Sequence, residues 1–253
     1  MRIAVCLSGQ IRTGIEVSPN ILRFIGELLP YTDFFIHTWN TETISLHALN
    51  GRDKSVINDI FVVNPYKIEK IKKIYKPKNI RIDSVEEYKK YREKKIIKEN
   101  NGLIAGLIPM FHSIYECNQL KINYEKQNKI EYDFVIRMRF DVVYENGHTL
   151  LSEIEHCMKD KMLFYTCDYW NKLPTQIEDI CWISSSKIMD IMCDFLLERE
   201  TNIQKIAVDW QIHSKEYLDK FNIRVSGFEK NKLYIYRDYH LEQNISPFDT
   251  HLL

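Results

Sequence analysis

Three charged residues leave one apolar run at a spacing of two: Arg137, Arg139 and Asp141 close the segment Tyr132-Asp133-Phe134-Val135-Ile136-Arg137-Met138-Arg139-Phe140-Asp141. Side chains alternate on an extended strand, so the three share one face. A carboxylate beside two fixed cations can stay ionised, hold a divalent metal, or be neutralised in a structural salt bridge. Three charges aligned at the exit of an otherwise buried strand are costly to desolvate unless they meet a ligand or one another. For Asp141 the ligand reading is favoured over the salt bridge.

A second group is Leu7-Ser8-Gly9-Gln10-Ile11-Arg12-Thr13, a polar loop after an apolar run. Gly9 permits close backbone approach, while Ser8, Gln10 and Arg12 offer groups suited to phosphate or ribose oxygens. The lysine and spacing of a Walker loop are missing, as is Gly-x-Gly-x-x-Gly, so kinase-like and dehydrogenase readings lose support. The plain alternative is a strand-to-helix turn with a surface arginine. Near this loop in the expected fold, Asp33, His37 and Trp39 end a second strand. Trp39 can stack on a base or sugar there, although core packing is the commoner role of such a tryptophan.

The elements that must position these groups follow from hydrophobic spacing. Ile3 to Leu7 reads as a buried parallel strand. Ser18-Pro19 then opens a helix through Ile21, Leu22, Phe24, Ile25, Leu28 and Leu29, with proline at an early position and Pro30 closing it. Asp33 to His37 is the next strand. Such a βαβ opening demands a sheet covered on both faces, hence an α/β fold, and ligands bind outside the carboxyl ends of its strands.

Residues 66–101 form a lysine-rich helical surface region with a short strand near Ile80 to Ile82. A helix with Pro109 near its start or at a kink covers Leu103 to Tyr124 and packs on the sheet. Asn118 and Lys121 on it read as a solvated face, with a donor-facing role as the alternative. Strands follow at Tyr132 to Arg137, Met162 to Thr166, Ile180 to Ser184, Ile223 to Val225 and Leu233 to Tyr236, with helices at Lys187 to Glu198 and Lys205 to Phe221. No repeat or low-complexity linker divides the 253 residues, so a single domain over 1–253 is expected.

Bulk properties narrow the partners. Lys+Arg and Asp+Glu are both 35, so the overall field is weak and neither nucleic acid nor another acidic polymer is implied. The six cysteines show no metal-ligand spacing and read as buried free thiols of a reducing compartment. The opening apolar run stops at Ser8, too short for a signal peptide or a membrane span. The expectation is a cytoplasmic protein, in peripheral membrane contact if its acceptor is a membrane glycolipid.

The opening Ile-Ala-Val-Cys-Leu-Ser-Gly-Gln-Ile-Arg, the Asp33 to Trp39 segment, the Met110-Phe111-His112-Ser113-Ile114 stretch and the Tyr132 to Asp141 strand together resemble a poorly characterised group of bacterial and large-virus polysaccharide glycosyltransferases. The resemblance spans about the first three fifths of the chain and recurs weakly at Asp179 to Ser185. It implies a GT-A-like mixed, mostly parallel sheet flanked by helices, a nucleotide-diphosphate sugar donor, a glycan or glycolipid acceptor, and Mn²⁺ or Mg²⁺ held by the acidic motif after the central strand.

The chain departs from the usual Asp-x-Asp, carrying Arg139-Phe140-Asp141. Either Asp141 holds the cation with diphosphate and water, or Arg137 and Arg139 neutralise the diphosphate themselves. His240 is a candidate late metal ligand. Ser8, Gly9, Gln10, Arg12, His37, Trp39, Arg137, Arg139 and Asp141 are the expected donor-binding residues. A base for the acceptor hydroxyl must be a carboxylate on the acceptor side, for which Asp179 is the candidate and Asp209 the substitute. Asp141→Ala is expected to abolish transfer with unfolding nearly unchanged. The alternatives are a non-catalytic glycan-binding module and a phosphotransferase using a nucleotide-linked donor.

Overall fold

The computed structural model describes residues 1–44, 59–96, 102–144, 150–167, 177–201, 210–228 and 233–235. Strand β1 (Ile3–Ser8) is buried along its whole length, with Ile3, Val5 and Leu7 in one apolar cluster and Ala4 and Cys6 in another. That alternation places β1 in the interior of a sheet covered on both faces. β2 (Thr32–Trp39) and β6 (Phe134–Met138) flank it in parallel, and β5 (Asn79–Asp83) continues the parallel set beyond β2.

The full order is β10-β8-β9-β6-β1-β2-β5, with β8 (Leu163–Cys167), β9 (Cys181–Ser185) and β10 (Arg224–Phe228) beyond β6. β9 runs antiparallel to both neighbours, and every other pairing in this sheet is parallel. The sheet is therefore mixed and mostly parallel, and the α/β class expected from the sequence holds. Because β9 is reversed, its beginning, not its end, lies beside the carboxyl ends of β1 and β6.

Helix α1 (Gly14–Ile25) begins four residues before the Ser18 expected from the sequence, so Pro19 sits inside it. Pro19 has no N–H for the carbonyl of Ile15, four residues earlier, and Ser18 Oγ donates to that oxygen at 2.7 Å instead. The serine hydroxyl substitutes for the lost backbone bond. A 3₁₀ segment, Gly26–Tyr31, contains Pro30 and leads into β2. Two antiparallel pairings were not anticipated, β3 (Thr41–Ile44) with β4 (Asp59–Val62) and β7 (Val142–Tyr144) with β11 (Leu233–Ile235), although β11 falls in the strand expected at Leu233 to Tyr236. α5 (Leu151–Lys159) was likewise not anticipated.

α2 (Pro65–Tyr75) and α3 (Val85–Ile96) form the lysine-rich stretch, and α4 (Gly102–Asn128) crosses the second face of the sheet. Pro109, Ser113, Cys117 and Lys121 recur every four residues and form one stripe of α4. Cys117 Sγ donates to the carbonyls of Leu7 and Phe35, both at 3.4 Å, which fixes the helix against β1 and β2. Five cysteines, Cys6, Cys117, Cys157, Cys181 and Cys193, are buried thiols.

Asn118 and Lys121 are not solvated, nor do they face the pocket of the candidate site: both are buried against α6 (Ser186–Thr201). Lys121 Nζ lies 2.8 Å from Asp190 Oδ1 and 3.1 Å from Glu125 Oε2, and Asn118 Nδ2 donates to Asp190 at 2.7 Å. The ammonium survives burial because two carboxylates meet it. α7 (Trp210–Asp219) completes the described helices. Lys121→Ala strands those carboxylates and is expected to cost about 3 kcal/mol, the low end for breaking a buried pair because Asp190 is partly hydrated. A urea denaturation midpoint within error of the wild type would contradict this.

Candidate functional site

The face that β1, β2 and β6 turn toward α4 carries Cys6 and Ser8, Phe35 and His37, and Val135 and Arg137. Ser8, His37 and Arg137 stand at its carboxyl edge, the place where an α/β sheet leaves room for a ligand. A cavity of about 160 Å³ opens there, lined by Ser8, Gly9, Gln10 and Arg12 from the first loop and by Arg137, Arg139 and Asp141 from the end of β6. Trp39, Tyr88, Pro109, Met110 and Asp179 complete its wall.

The loop conformation is specific. Gly9 adopts φ 114°, outside the range favoured by side chains, and no atom lies within 4 Å of where its Cβ would be. Its N–H donates to the carbonyl of His37 at 3.2 Å. Arg12 is also left-handed, at φ 44°, a conformation unfavourable for a non-glycine residue. Its N–H is held by the Glu42 carboxylate, which Lys67 also pairs at 2.9 Å. Gly14 admits the close approach of Phe140, whose Cβ would lie 2.8 Å from an added methyl.

Held this way, Arg12 reaches Asp141: Nη1 donates to Oδ2 at 3.1 Å, while Nε donates to Gln10 at 3.2 Å. Arg139 grips the same carboxylate by two bonds, Nε to Oδ1 at 2.8 Å and Nη2 to Oδ2 at 3.1 Å. Its Nη1 donates to Asp179 Oδ2 at 3.2 Å. Arg137 donates to Ser8 Oγ at 3.0 Å and to the Asp179 carbonyl, and its guanidinium lies 4.9 Å from the Trp182 ring centre.

Burial pulls the Arg137 guanidinium down from its ordinary pKa, opposed by Asp179. Burial also weighs against charge on Arg139, but Asp141 and Asp179 outweigh it and raise its pKa. Asp141 is 2 % exposed, whereas Arg12, Arg139 and Asp179 are 24 %, 18 % and 21 % exposed and form the wet rim of the cluster.

The arrangement bears on a cation at Asp141. Both carboxylate oxygens already accept from guanidinium groups, and three arginines surround two carboxylates, so a divalent ion would enter a field with surplus positive charge. Asp141 does not fit the ligand of Mn²⁺ or Mg²⁺ here. His240 and Asp209, the other expected metal ligand and the substitute base, lie outside the described residues.

Trp39 and His37 stand differently from the donor-stacking expectation. Trp39 is buried against Tyr88 and Tyr91 and shows only part of its ring to the cavity. His37 is not in the cavity wall: its Nδ1 lies 2.8 Å from Ser113 Oγ and its Nε2 3.0 Å from Asp83 Oδ2. His112 Nε2 approaches the same oxygen at 2.9 Å. This buried His37, Asp83 and His112 group has the donors and closeness to bind a metal ion.

Sequence reasoning missed Asp83, His112 and Tyr88. One signal was present: Arg81-Ile82-Asp83 at the end of β5 repeats the arginine-x-aspartate of Arg139-Phe140-Asp141. In both, the arginine binds the aspartate two residues on.

A larger cleft of about 720 Å³ lies at the opposite end of β1 and β6, beside Glu125, Glu131, Asp133 and Asp190. Two of its four carboxylates, Glu125 and Asp190, are met by Lys121, which leaves Glu131 and Asp133 beside Lys161 and Lys187, and no arginine lines it. The smaller cavity, where three guanidinium groups converge, is therefore the candidate site for an anionic ligand.

Comparison with solved structures finds a nucleoside-diphosphate-sugar pyrophosphorylase from Vibrio cholerae, with TM-score 0.43 and 8% identity over 96% of this chain and 99% of the other. Mouse xyloside xylosyltransferase 1 gives 0.43 and 7% over 91% and 85%. A cytidylyltransferase from Leptospira borgpetersenii gives 0.40 and 12% over 94% and 80%. No activity is carried over from likenesses of this size. No curated protein matches the chain. A family model does match residues 1–158, the part that holds β1, β2, β5, β6 and the arginine cluster, and the chain thus belongs to the family described as a domain of unknown function, DUF7796.

Proposed function

We propose that this chain transfers a sugar from a nucleoside-diphosphate donor to a hydroxyl of a glycan or glycolipid acceptor in surface polysaccharide synthesis, with the diphosphate bound at the arginine cluster. The observation that carries this reading is the convergence of Arg12, Arg137 and Arg139 on one cavity at the carboxyl edge of the sheet. Guanidinium groups match the geometry of phosphate oxygens and stay charged. The cluster is also open: Arg12, Arg139 and Asp179 reach solvent at its rim. The resemblance of the Ser8 to Arg12 loop and the Tyr132 to Asp141 strand to polysaccharide glycosyltransferases supports the same substrate class.

The cavity is smaller than the ~300–1,000 Å³ of complete small-molecule sites, so its described walls accommodate a diphosphate or a sugar ring, with the rest of the donor at the mouth. In the transfer step the bond from the anomeric carbon to the diphosphate oxygen breaks as the acceptor oxygen bonds to that carbon. The arginines stabilise the charge gathering on the departing diphosphate. Asp179, at the rim, accepts the hydroxyl proton of the acceptor. No step is assigned to a cation at Asp141, whose oxygens the arginines occupy. No described helix is long and apolar enough to cross a membrane.

Titration calorimetry with UDP and GDP, alone and sugar-linked, run both with and without EDTA, tests the donor site. At least one nucleotide should bind the wild type, and Arg139→Ala should weaken it about 10- to 100-fold, the ~1.5–3 kcal/mol of a charged hydrogen bond. Absence of binding across the panel would sink the proposal. Asp179→Asn should retain nucleotide binding but lose transfer; full turnover by that variant would remove Asp179 as the base.

Asp141→Ala should do more than the sequence suggests. Its carboxylate is buried between Arg12 and Arg139, so its loss should lower stability by about 3 kcal/mol, read as an earlier urea midpoint. Unfolding like that of the wild type would mean that the guanidinium groups rehydrate without cost.

A further inference from the structure

Behind the pocket wall, three side chains from three elements aim donor atoms at one point. His37 comes from β2, Asp83 from the last residue of β5, and His112 from α4. All three are buried, and their ligand atoms lie within 4.8 Å of one another. With bonds of ~2.0–2.1 Å, each histidine–carboxylate pair, 3.0 Å apart for His37 and 2.9 Å for His112, is close enough to share one ion.

The surroundings orient these donors as outer partners of metal ligands do. Asp83 Oδ1 accepts from Arg81 Nε at 2.8 Å, while Oδ2 receives only a long contact of 3.4 Å from Arg81 Nη2 and faces both histidines, unlike Asp141, whose two oxygens are each gripped at 3.1 Å or less. Arg81 is itself paired with Glu116, so its charge is compensated. Ser113 Oγ donates to the carbonyl of His37 at 3.4 Å and lies 2.8 Å from His37 Nδ1. In the tautomer with its proton on Nδ1, His37 donates to Ser113 Oγ and turns the lone pair of Nε2 to Asp83 Oδ2, ready for an ion; in the other tautomer Nε2–H donates to Oδ2, and a metal ion replaces that proton.

We propose that His37, Asp83 and His112 form a mononuclear site for a divalent transition-metal ion of the zinc type. Two imidazoles and one carboxylate suit zinc and its neighbours, whereas magnesium and calcium require oxygen donors. Three protein donors leave the remaining coordination to solvent, as in other three-ligand sites. The ion clamps the ends of β2 and β5 to α4. Trp39 and Tyr91 cover His112, with ring centres 5.6 and 4.3 Å away, and Trp39 also lines the arginine cavity. The metal therefore shapes the wall of the cavity and stands apart from the transfer chemistry. This site does not depend on the donor-site reading.

The test is titration of the full chain, stripped with EDTA, with Zn²⁺ and with Co²⁺ as a visible-absorbing substitute. One ion per chain should bind, Zn²⁺ should raise Tm, and Mg²⁺ at the same concentration should not. His112→Ala and Asp83→Asn should each weaken the ion at least tenfold, the lower bound for loss of even an outer partner, while His213→Ala, on an exposed face of α7, should leave it unchanged. If the ligand variants fail to fold, Ser113→Ala takes their place with an expected loss of about tenfold. A stripped wild type that binds neither ion overturns the site, as does unchanged affinity in the folded ligand variants or, where those fail, in Ser113→Ala.

Discussion

Ionised side chains cannot be left alone at the dry end of a buried strand, and this constraint organises the carboxyl edge of the sheet. Arg139 and Asp141 meet it together, through two bonds between one guanidinium and one carboxylate. The pair fixes the direction in which the chain leaves β6, and Arg12 and Asp179 are then held by what remains of its charge. A buried pair of this kind contributes little net stability compared with apolar packing, but it is expensive to break. Its value lies in orientation: it holds guanidinium groups of the first loop and of β6 around one cavity.

The same logic recurs two strands away. Arg81 and Asp83 end β5 as Arg139 and Asp141 follow β6, and each aspartate also meets a side chain brought by another element, Asp83 the imidazole of His112 and Asp141 the guanidinium of Arg12. α4 links the two places. Pro109 and Met110 reach the arginine cavity, His112 and Ser113 engage Asp83 and His37, and Cys117 touches the carbonyls of β1 and β2. Lys121, farther along the same stripe, is anchored by Asp190 of α6. One long helix thus sets the distance between two polar clusters and ties both to the core.

Much of this frame was legible in the sequence because its elements carry strong, uniform patterns. Ile3 to Leu7 and Phe134 to Ile136 are apolar on both faces, which only a central strand tolerates, and the length of α4 makes its apolar spacing plain. β3, β4 and β7 have too few residues to display a period, and the pairing of the expected strand β11 with β7 is a long-range contact that no local pattern announces. Pro19 misled the start of α1 because the compensating Ser18 hydroxyl is a tertiary detail of the turn. Lys121 looked like a solvated lysine, since nothing local to it announces that Asp190 and Ser186 lie opposite. The reversal of β9 was also hidden: strand direction is a property of the connection, not of Cys181 to Ser185.

That reversal explains how an aspartate from a distant segment enters the arginine cavity. Had β9 run parallel to β6, Asp179 would stand at the other end of the sheet, beside the acid-lined cleft. Running antiparallel, β9 begins where β6 ends: Met138 pairs with Cys181, and the Arg139 N–H reaches the Ile180 carbonyl at 3.3 Å. Asp179 is then within reach of both Arg137 and Arg139. The geometry separates two roles that one carboxylate could not serve. Asp141, sealed between guanidinium groups, orients them, while Asp179 at the hydrated rim is the carboxylate open to the acceptor hydroxyl of the proposed transfer. Polar groups at this edge are consequently divided by depth: Arg137 and Asp141 below, Arg12, Arg139 and Asp179 at the rim, and the histidine cluster behind the aromatic wall.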